Sequence, residues 1–396
     1  MTILYPVLLL LGLLLPCLPA AEEQRVEVDA FSGLFDAITS YFPTHLFMGG
    51  YLKDESILHN DDMPPDYAPP ALTETPPIAY TEDDNQDEAT SRQVLITRQE
   101  EALLALLPNM KRGDTAPGIN WDRDLPMSMW TRVVLDDDTG LVQQLLLNDV
   151  GLVGDLSTDL GPLLTPSLRR LQLIGNSDLR GDIAWLGRAT GLEEAWLYTT
   201  AVSGDVKVFS RCPRIRIVGL YATAVHGSIE IFKTTKHLEM LVAAETNVWG
   251  DISVFAHTPR LTKLNLMKCG GVSGDIGKVF GGGKFPNLQA LGLSDSHSVT
   301  GDIGAFRDTP HLQDLRLWNT GIVGDVAVFA GMDELMGLNL HKTGVIGNGM
   351  VFETCCPALK ELHLWQTATY GDAQRLRDAR MHDIAEKVYV DWDGKR

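Results

Sequence analysis

Between residues 141 and 372 the apolar positions follow a fixed beat, L-x-x-L-x-L, as in Leu261, Leu264, Leu266, then Leu312, Leu315, Leu317, then Leu359, Leu362, Leu364. The alternation within L-x-L predicts a short strand with leucines facing inward and their neighbours facing solvent. After each core a branched apolar residue leads into Gly-Asp, at Gly154, Gly181, Gly204, Gly250, Gly274, Gly301, Gly324 and Gly371. Gly227 with Ser228 and Gly347 with Asn348 complete a series spaced by 27, 23, 23, 23, 24, 27, 23, 23 and 24 residues. About ten units of about 24 residues therefore stack, each burying its apolar side against its neighbours.

The other slots of the unit have physical reasons of their own. Three residues after the last leucine stands a small polar residue: Asn176, Thr200, Thr223, Thr246, Cys269, Ser296, Thr320, Thr343 or Thr367. Stacked side by side, these are expected to hydrogen-bond backbone groups at the bend that no ladder reaches. Glycine then permits a left-handed backbone. Phe209, Phe232, Phe255, Phe280, Phe306, Phe329 and Phe352 are expected to pack under the convex side. Pro213, Pro259, Pro286, Pro310 and Pro357 precede the next leucine run.

The unit L-x-x-L-x-L-x-x-T-x-V-x-G-D-I-x-x-F-x-x-x-P resembles the plant-type leucine-rich repeat, with Asp before Ile and without the usual Pro after it. The resemblance implies an α/β repeat fold, a right-handed solenoid with a parallel concave sheet, closed by N- and C-terminal caps. Upstream, residues 97–173 are similar to the plant-type amino-terminal cap, through Ala102, Leu103, Leu104, Leu106, Leu107, Trp121, Trp130 and Val133. Where that family carries a cysteine pair around the second Trp, this chain has Ser128 and Leu135. The expectation is a cap held by packing alone. The organisation predicted is 1–20 signal peptide, 21–91 spacer, 92–140 N-terminal cap, 141–372 repeats and 373–396 C-terminal cap.

The start of the chain changes where such a solenoid would work. Ile3–Leu15 is almost wholly apolar but shorter than the ~20 residues that cross a bilayer. Small residues follow, and cleavage after Ala20 is expected, an uncleaved anchor being the alternative. Either reading sends the chain into the secretory pathway, to an extracellular or lumenal home. No later run reaches membrane-spanning length, so no membrane span is expected after cleavage.

Charge divides unevenly. The formal net charge is −19, and residues 22–100 hold 17 Asp or Glu against 4 Lys or Arg. That acidic, Pro-rich stretch reads as a disordered spacer. Within it Phe31, Leu34, Phe35, Ile38 and Phe42 share one helical face, which reads as a weakly docked helix or a partner-binding one. The acidic balance argues against nucleic acid as a partner.

Candidate chemistry is sparse. A file of Asp residues one strand spacing apart invites calcium, but one carboxylate per turn is too few ligands, and turn capping explains it better. Cys212 and Cys356 lie six units apart, roughly 29 Å at ~4.8 Å per unit, beyond bridging distance. With Cys269 and Cys355 they read as small core residues. Gly281, Gly282, Gly283 and Lys284 fail as a phosphate loop, because Lys278 stands at the first Gly position and Phe285 at the Ser/Thr. No nucleophile, zinc or kinase signature is present, so an enzyme, a cofactor and a metal site are not expected.

The outward positions of the strands carry more. One file includes Trp196, Arg316, Asn339 and His363, and the next Tyr198, Tyr221, Trp318, His341 and Trp365. Trp318, His341 and Trp365 belong to consecutive units and should stack with ~5 Å between rungs. Exposed aromatics and Arg mark binding surfaces, the alternative being that the rings stack on one another for stability alone. The ligand-binding residues expected on the concave face are Trp196, Tyr198, Tyr221, Arg316, Trp318, His341, His363 and Trp365. The expected function is non-catalytic recognition of a protein, peptide or glycan, in receptor-like or inhibitor-like roles. The alternative is a structural or scaffold protein of a lumen, wall or matrix.

Overall fold

The structure, a computed structural model, describes residues 85–110, 118–379 and 387–392. All belong to the second of the two units into which the chain divides, Pro70–Arg396. The predicted signal peptide, the Phe31 to Phe42 face and the spacer up to residue 84 lie outside the described residues. So do 380–386 and 393–396 of the closing cap.

Each L-x-x-L-x-L core forms a short strand, and the strands stack in chain order into a twelve-stranded sheet. It runs from Val133–Leu135 through strands such as Glu194–Trp196, Lys263–Asn265 and Asp314–Arg316 to Val388–Tyr389. All its pairings are parallel except the first, where Val133–Leu135 runs antiparallel to Val142–Leu146. The inward leucines, among them Leu264, Leu291, Leu315 and Leu362, are fully buried.

A second sheet, which the sequence did not lead us to expect, is formed by the x-V-x-G-D segments. Its ten strands run from Gly154–Asp155 to Ala368–Tyr370, again parallel and in chain order. The central branched residue of each segment (Val202, Val225, Val248, Ile322, Val345) is buried, while those on either side face out.

The Asp that ends each of these strands caps the turn that follows. Asp182, Asp205, Asp251, Asp302 and Asp325 each accept a hydrogen bond at Oδ1 from the backbone N–H two residues on, at 2.7–2.9 Å. Ser228 and Asn348 do the same in their units. This satisfies donors that a short 3-10 helix leaves open. The preceding glycine is required sterically as well as conformationally. At Gly274 φ is +125°, and a Cβ there would stand 2.6 Å from Oδ1 of Asp251 in the previous unit. The Gly of one unit thus seats the Asp of the unit before.

The remaining ladders form as expected. Thr200, Thr223, Thr246 and Thr320 donate their hydroxyls to the carbonyl three residues back at 2.6–2.7 Å. Phe209, Phe232 and Phe255 stack in sequence with centroids 6.4 Å apart, and all seven phenylalanines of the series are buried. Cys212 and Cys269 are buried core thiols. Cys356 is buried too, but Cys355 is only half-buried, with its sulfur 2.7 Å from that of Cys356.

The helix Asn85–Leu106, which begins within the span read as spacer, buries Leu103 and Leu106 against the first repeats. Gln99 Oε1 accepts from the Val142 backbone N–H at 2.9 Å, tying helix to sheet. Trp121 and Trp130 stack at 5.9 Å and 19°, and both indole N–H groups reach backbone carbonyls. At the other end the helix Ala373–Ala379 is followed by the strand Val388–Tyr389, which extends the twelve-stranded sheet beside Glu361–His363.

Candidate concave binding face

Three positions of each unit face the concave side, not two. In Asp314–Arg316 and its extension these are Asp314, Arg316 and Trp318. Alternation places every second residue on one face, so the residue opening each strand belongs there. This first file holds Arg170, Glu194, Ile217, Met240, Lys263, Ala290, Asp314, Gly337 and Glu361, in register strand to strand. Sequence reasoning missed it, and the same period-2 count would have found it.

The predicted stack forms. His341 lies between Trp318, at 5.1 Å and 5°, and Trp365, at 4.3 Å and 12°. Its Nδ1 meets Asn339 Oδ1 at 2.6 Å. Burial, with the neighbouring His363 and Lys342 charges, pushes its pKa down to about 4, so the ring is neutral at neutral pH. Lys342 Nζ sits 5.4 Å over the Trp365 ring, a cation–π contact. His363 stacks on Tyr389 of the closing cap at 4.4 Å.

Beneath this stack runs an ion-pair network whose acids come from the first file. Arg316 Nε meets Asp314 Oδ1 at 3.0 Å, its Nη2 meets Glu361 Oε2 at 3.0 Å, and His363 Nε2 meets Glu361 Oε1 at 2.7 Å. Burial pushes the Asp314 carboxyl up to about 6, and Arg316 opposes that. Burial also resists ionisation of Glu361, but the His363 hydrogen bond and the Arg316 charge outweigh it and hold the carboxyl at about 2. Gly337 leaves room for the pair, since a Cβ there would stand 2.6 Å from Asp314 Oδ1.

A second cluster lies toward the N-terminal cap. Trp196 and Tyr198 meet edge to face at 5.6 Å, and Tyr198 meets Tyr221 likewise at 6.4 Å. Trp196 Nε1 donates to Glu194 Oε2 at 3.2 Å. Tyr198 leans across Gly219, whose Cβ would come within 2.7 Å of the ring. Beyond it a cleft of about 280 Å³ is lined by Gln144, Arg170, Glu193, Glu194 and Arg216. Arg170 and Arg216 are engaged by carboxylates there, Glu194 and Glu239, each at 2.9 Å, and Arg169, which also lines the cleft, donates to the Gly191 carbonyl at 3.0 Å.

The eight residues expected on the concave face differ in exposure. Trp196, Tyr198, Arg316, His341 and His363 are buried, and only Tyr221, Trp318 and Trp365 remain partly exposed. The first five are covered because they stack on one another or turn into acids of the missed file. Between the clusters, the strands Met240–Val242, Lys263–Asn265 and Ala290–Gly292 present Val242, Ala244, Asn265, Met267, Gly292 and Ser294. These side chains are small or slender beside the aromatics at either end. Three buried side-chain polar atoms among the described residues lack a hydrogen-bond partner: Tyr198 Oη, Ser294 Oγ and His363 Nδ1. All three belong to the concave files.

No protein-family profile matches the chain, and no curated protein matches it. Solved structures do. The ectodomain of the Arabidopsis receptor kinase HAESA, solved with a peptide hormone ligand, superposes with a TM-score of 0.54 at 16% identity, over 73% of this chain and 52% of that one. The ectodomain of the Arabidopsis thaliana receptor kinase GASSHO1/SCHENGEN3, solved with CASPARIAN STRIP INTEGRITY FACTOR 2, gives 0.53 at 22%, over 69% and 33%. A plant ice-binding protein gives 0.51 at 20%, over 69% and 94%. The chain spans a third to a half of the two receptor ectodomains. At these identities the likeness shows the fold, a plant-type leucine-rich-repeat solenoid. Among the described residues no helix is long and apolar enough to cross a membrane.

Proposed function

We propose that this leucine-rich-repeat solenoid is a non-catalytic recognition protein that binds an extended peptide segment along its concave face. One observation carries the reading: the low stretch between two aromatic clusters, with Tyr221 at one end and Trp318 at the other. Four strand spacings of ~4.8 Å separate them, about 19 Å, which matches about six residues of extended chain. Tyr221, Trp318 and Trp365 are the contact residues, because they are the aromatics with exposed faces. Trp196, Tyr198, Arg316, His341 and His363 stand behind them and fix their positions. Stacked rings and ion pairs that are already formed lower the ordering cost of binding. The orphaned Ser294 hydroxyl on the floor supports the same reading, since buried polar groups ordinarily find partners. The peptide ligands of the receptor ectodomains support the ligand class, and the apolar start of the chain supports a secretory-pathway home.

A scaffold role is the second reading, favoured by a different surface. Trp249, Val323, Ile346 and Tyr370, each 45–55% exposed, occupy the same outward position of their units in the ten-stranded sheet, before the glycine. Selection of phage-displayed random dodecapeptides on the full chain separates the two. Trp318→Ala with Trp365→Ala should abolish binding of the selected peptides, while Val323→Ser with Ile346→Ser should not. The reverse pattern would support the scaffold reading and sink the concave one.

A further inference from the structure

We propose that the stretch between the aromatic clusters takes its ligand by a carboxylate, received at Lys263. This rests on the concave-face reading and names the chemistry recognised there. Lys263 opens the strand Lys263–Asn265 at the middle of the twelve-stranded sheet, flanked in register by Met240 and Ala290. Neither neighbour can pair with an ammonium group.

The other basic side chains bordering this face are already answered within the chain. Arg170 pairs with Glu194, Arg216 with Glu239, Lys268 with Glu245, and Arg316 with Asp314 and Glu361. Lys342 sits over Trp365. Lys263 makes no ion pair or side-chain hydrogen bond among the described residues. It is nonetheless half-buried, and burial alone lowers its pKa, with no carboxylate acting on it. A partly desolvated cation without a partner is costly, and a carboxylate arriving with the ligand would relieve that cost.

The surroundings select among anions. Only one cation is at hand, without a second Lys or Arg or a cradle of backbone N–H groups, so a doubly charged phosphate would lack ligands. The −6 balance of the chain beyond residue 100 disfavours it further. A single negative charge fits, between apolar contacts with Tyr221 and Trp318. Two sources supply it, an acidic side chain or the free C-terminus of a peptide.

The test uses the full chain and hexapeptides of Ala and Tyr with a single Glu stepped through the six positions. Each is made with a free C-terminus and as the amide, with Gln replacing Glu in controls, and binding is read by fluorescence polarisation. Binding should require one carboxylate, and the arm that retains it identifies the source. Lys263→Met should weaken binding tenfold or more and Lys263→Arg should restore most of it, while Trp318→Ala weakens every peptide alike. Unfolding curves confirm that the variants fold. If amidated Gln controls bind equally and Lys263→Met changes nothing while Trp318→Ala still weakens binding, the carboxylate proposal is overturned and the groove reading stands. If no hexapeptide binds, or Trp318→Ala has no effect, the groove reading falls and the carboxylate with it.

Discussion

The His341 imidazole lies nearly parallel to the Trp365 indole, 12° between planes and 4.3 Å between centroids, with Trp318 closing its other face. Held near a pKa of 4 against an ordinary 6.5, the buried ring takes its proton later than in the unfolded chain. Its contribution to stability is therefore lost as pH falls from 6.5 to 4, by up to about 3 kcal/mol. Asp314 runs the other way. Raised from 3.8 to about 6, it is protonated first in the folded chain, so its contribution is present at low pH and lost as pH rises through 6. The two offset one another in the native protein. His341→Gln should remove only the first, so the variant gains stability relative to wild type on acidification from pH 6.5 to 4. Urea unfolding at both pH values checks this, and a constant difference would contradict it.

The seat between successive units predicts an order of damage. Asp251→Ala removes one turn cap and should cost about 1 kcal/mol. Gly274→Ala forces a Cβ into a left-handed backbone and against the same Asp251, and should cost about 2 kcal/mol or more. Chemical denaturation of the two variants side by side would expose the error if Asp251→Ala proved the worse.

Thr199 is β-branched yet sits at φ +53°, next to Tyr198, with its hydroxyl donating to the Tyr198 carbonyl at 2.7 Å. Left-handed backbone of this kind costs about 1 kcal/mol for such a residue, and Asn tolerates it better. Thr199→Asn should raise stability by about 0.5–1 kcal/mol. A lower melting temperature would mean that the threonine hydroxyl matters more than the backbone strain.

The N-terminal cap is held by indoles. Trp130→Phe keeps the ring against Trp121 but loses the Nε1 donor shared by Asp122 and Leu125, at about 1 kcal/mol. Trp130→Ala should cost about 3–5 kcal/mol and expose the first repeat. Proteolysis mapping checks the second point, since new cleavage should begin near residue 133 rather than in the middle of the array.

The repeat was legible because ten units share one frame: inward leucines, a small residue at the bend, a glycine followed by Asp, Ser or Asn, and in seven of them a convex phenylalanine. The second sheet was not, because x-V-x-G-D offers one buried residue per strand, too little for a period-2 pattern to declare itself. At the concave face the ladder spacing of Trp318, His341 and Trp365 followed from the period alone. The burial of Arg316, His363 and Tyr198 did not. For Arg316 and His363 it depends on Asp314 and Glu361, each opening a strand two residues upstream, and for Tyr198 on the missing Cβ of Gly219. Those are facts of shape and pairing, and a count of aromatic residues does not contain them. Lys263 was passed over for the same reason, since what distinguishes it is the lack of a partner.

The most direct measurement is amide hydrogen exchange of the full chain with and without a peptide selected on it. Binding along the concave face predicts new protection in 240–245, 263–268 and 290–295, with little change in the strands Gly321–Asp325 and Gly344–Asn348. Protection confined to those outer strands, or to neither sheet, would contradict it.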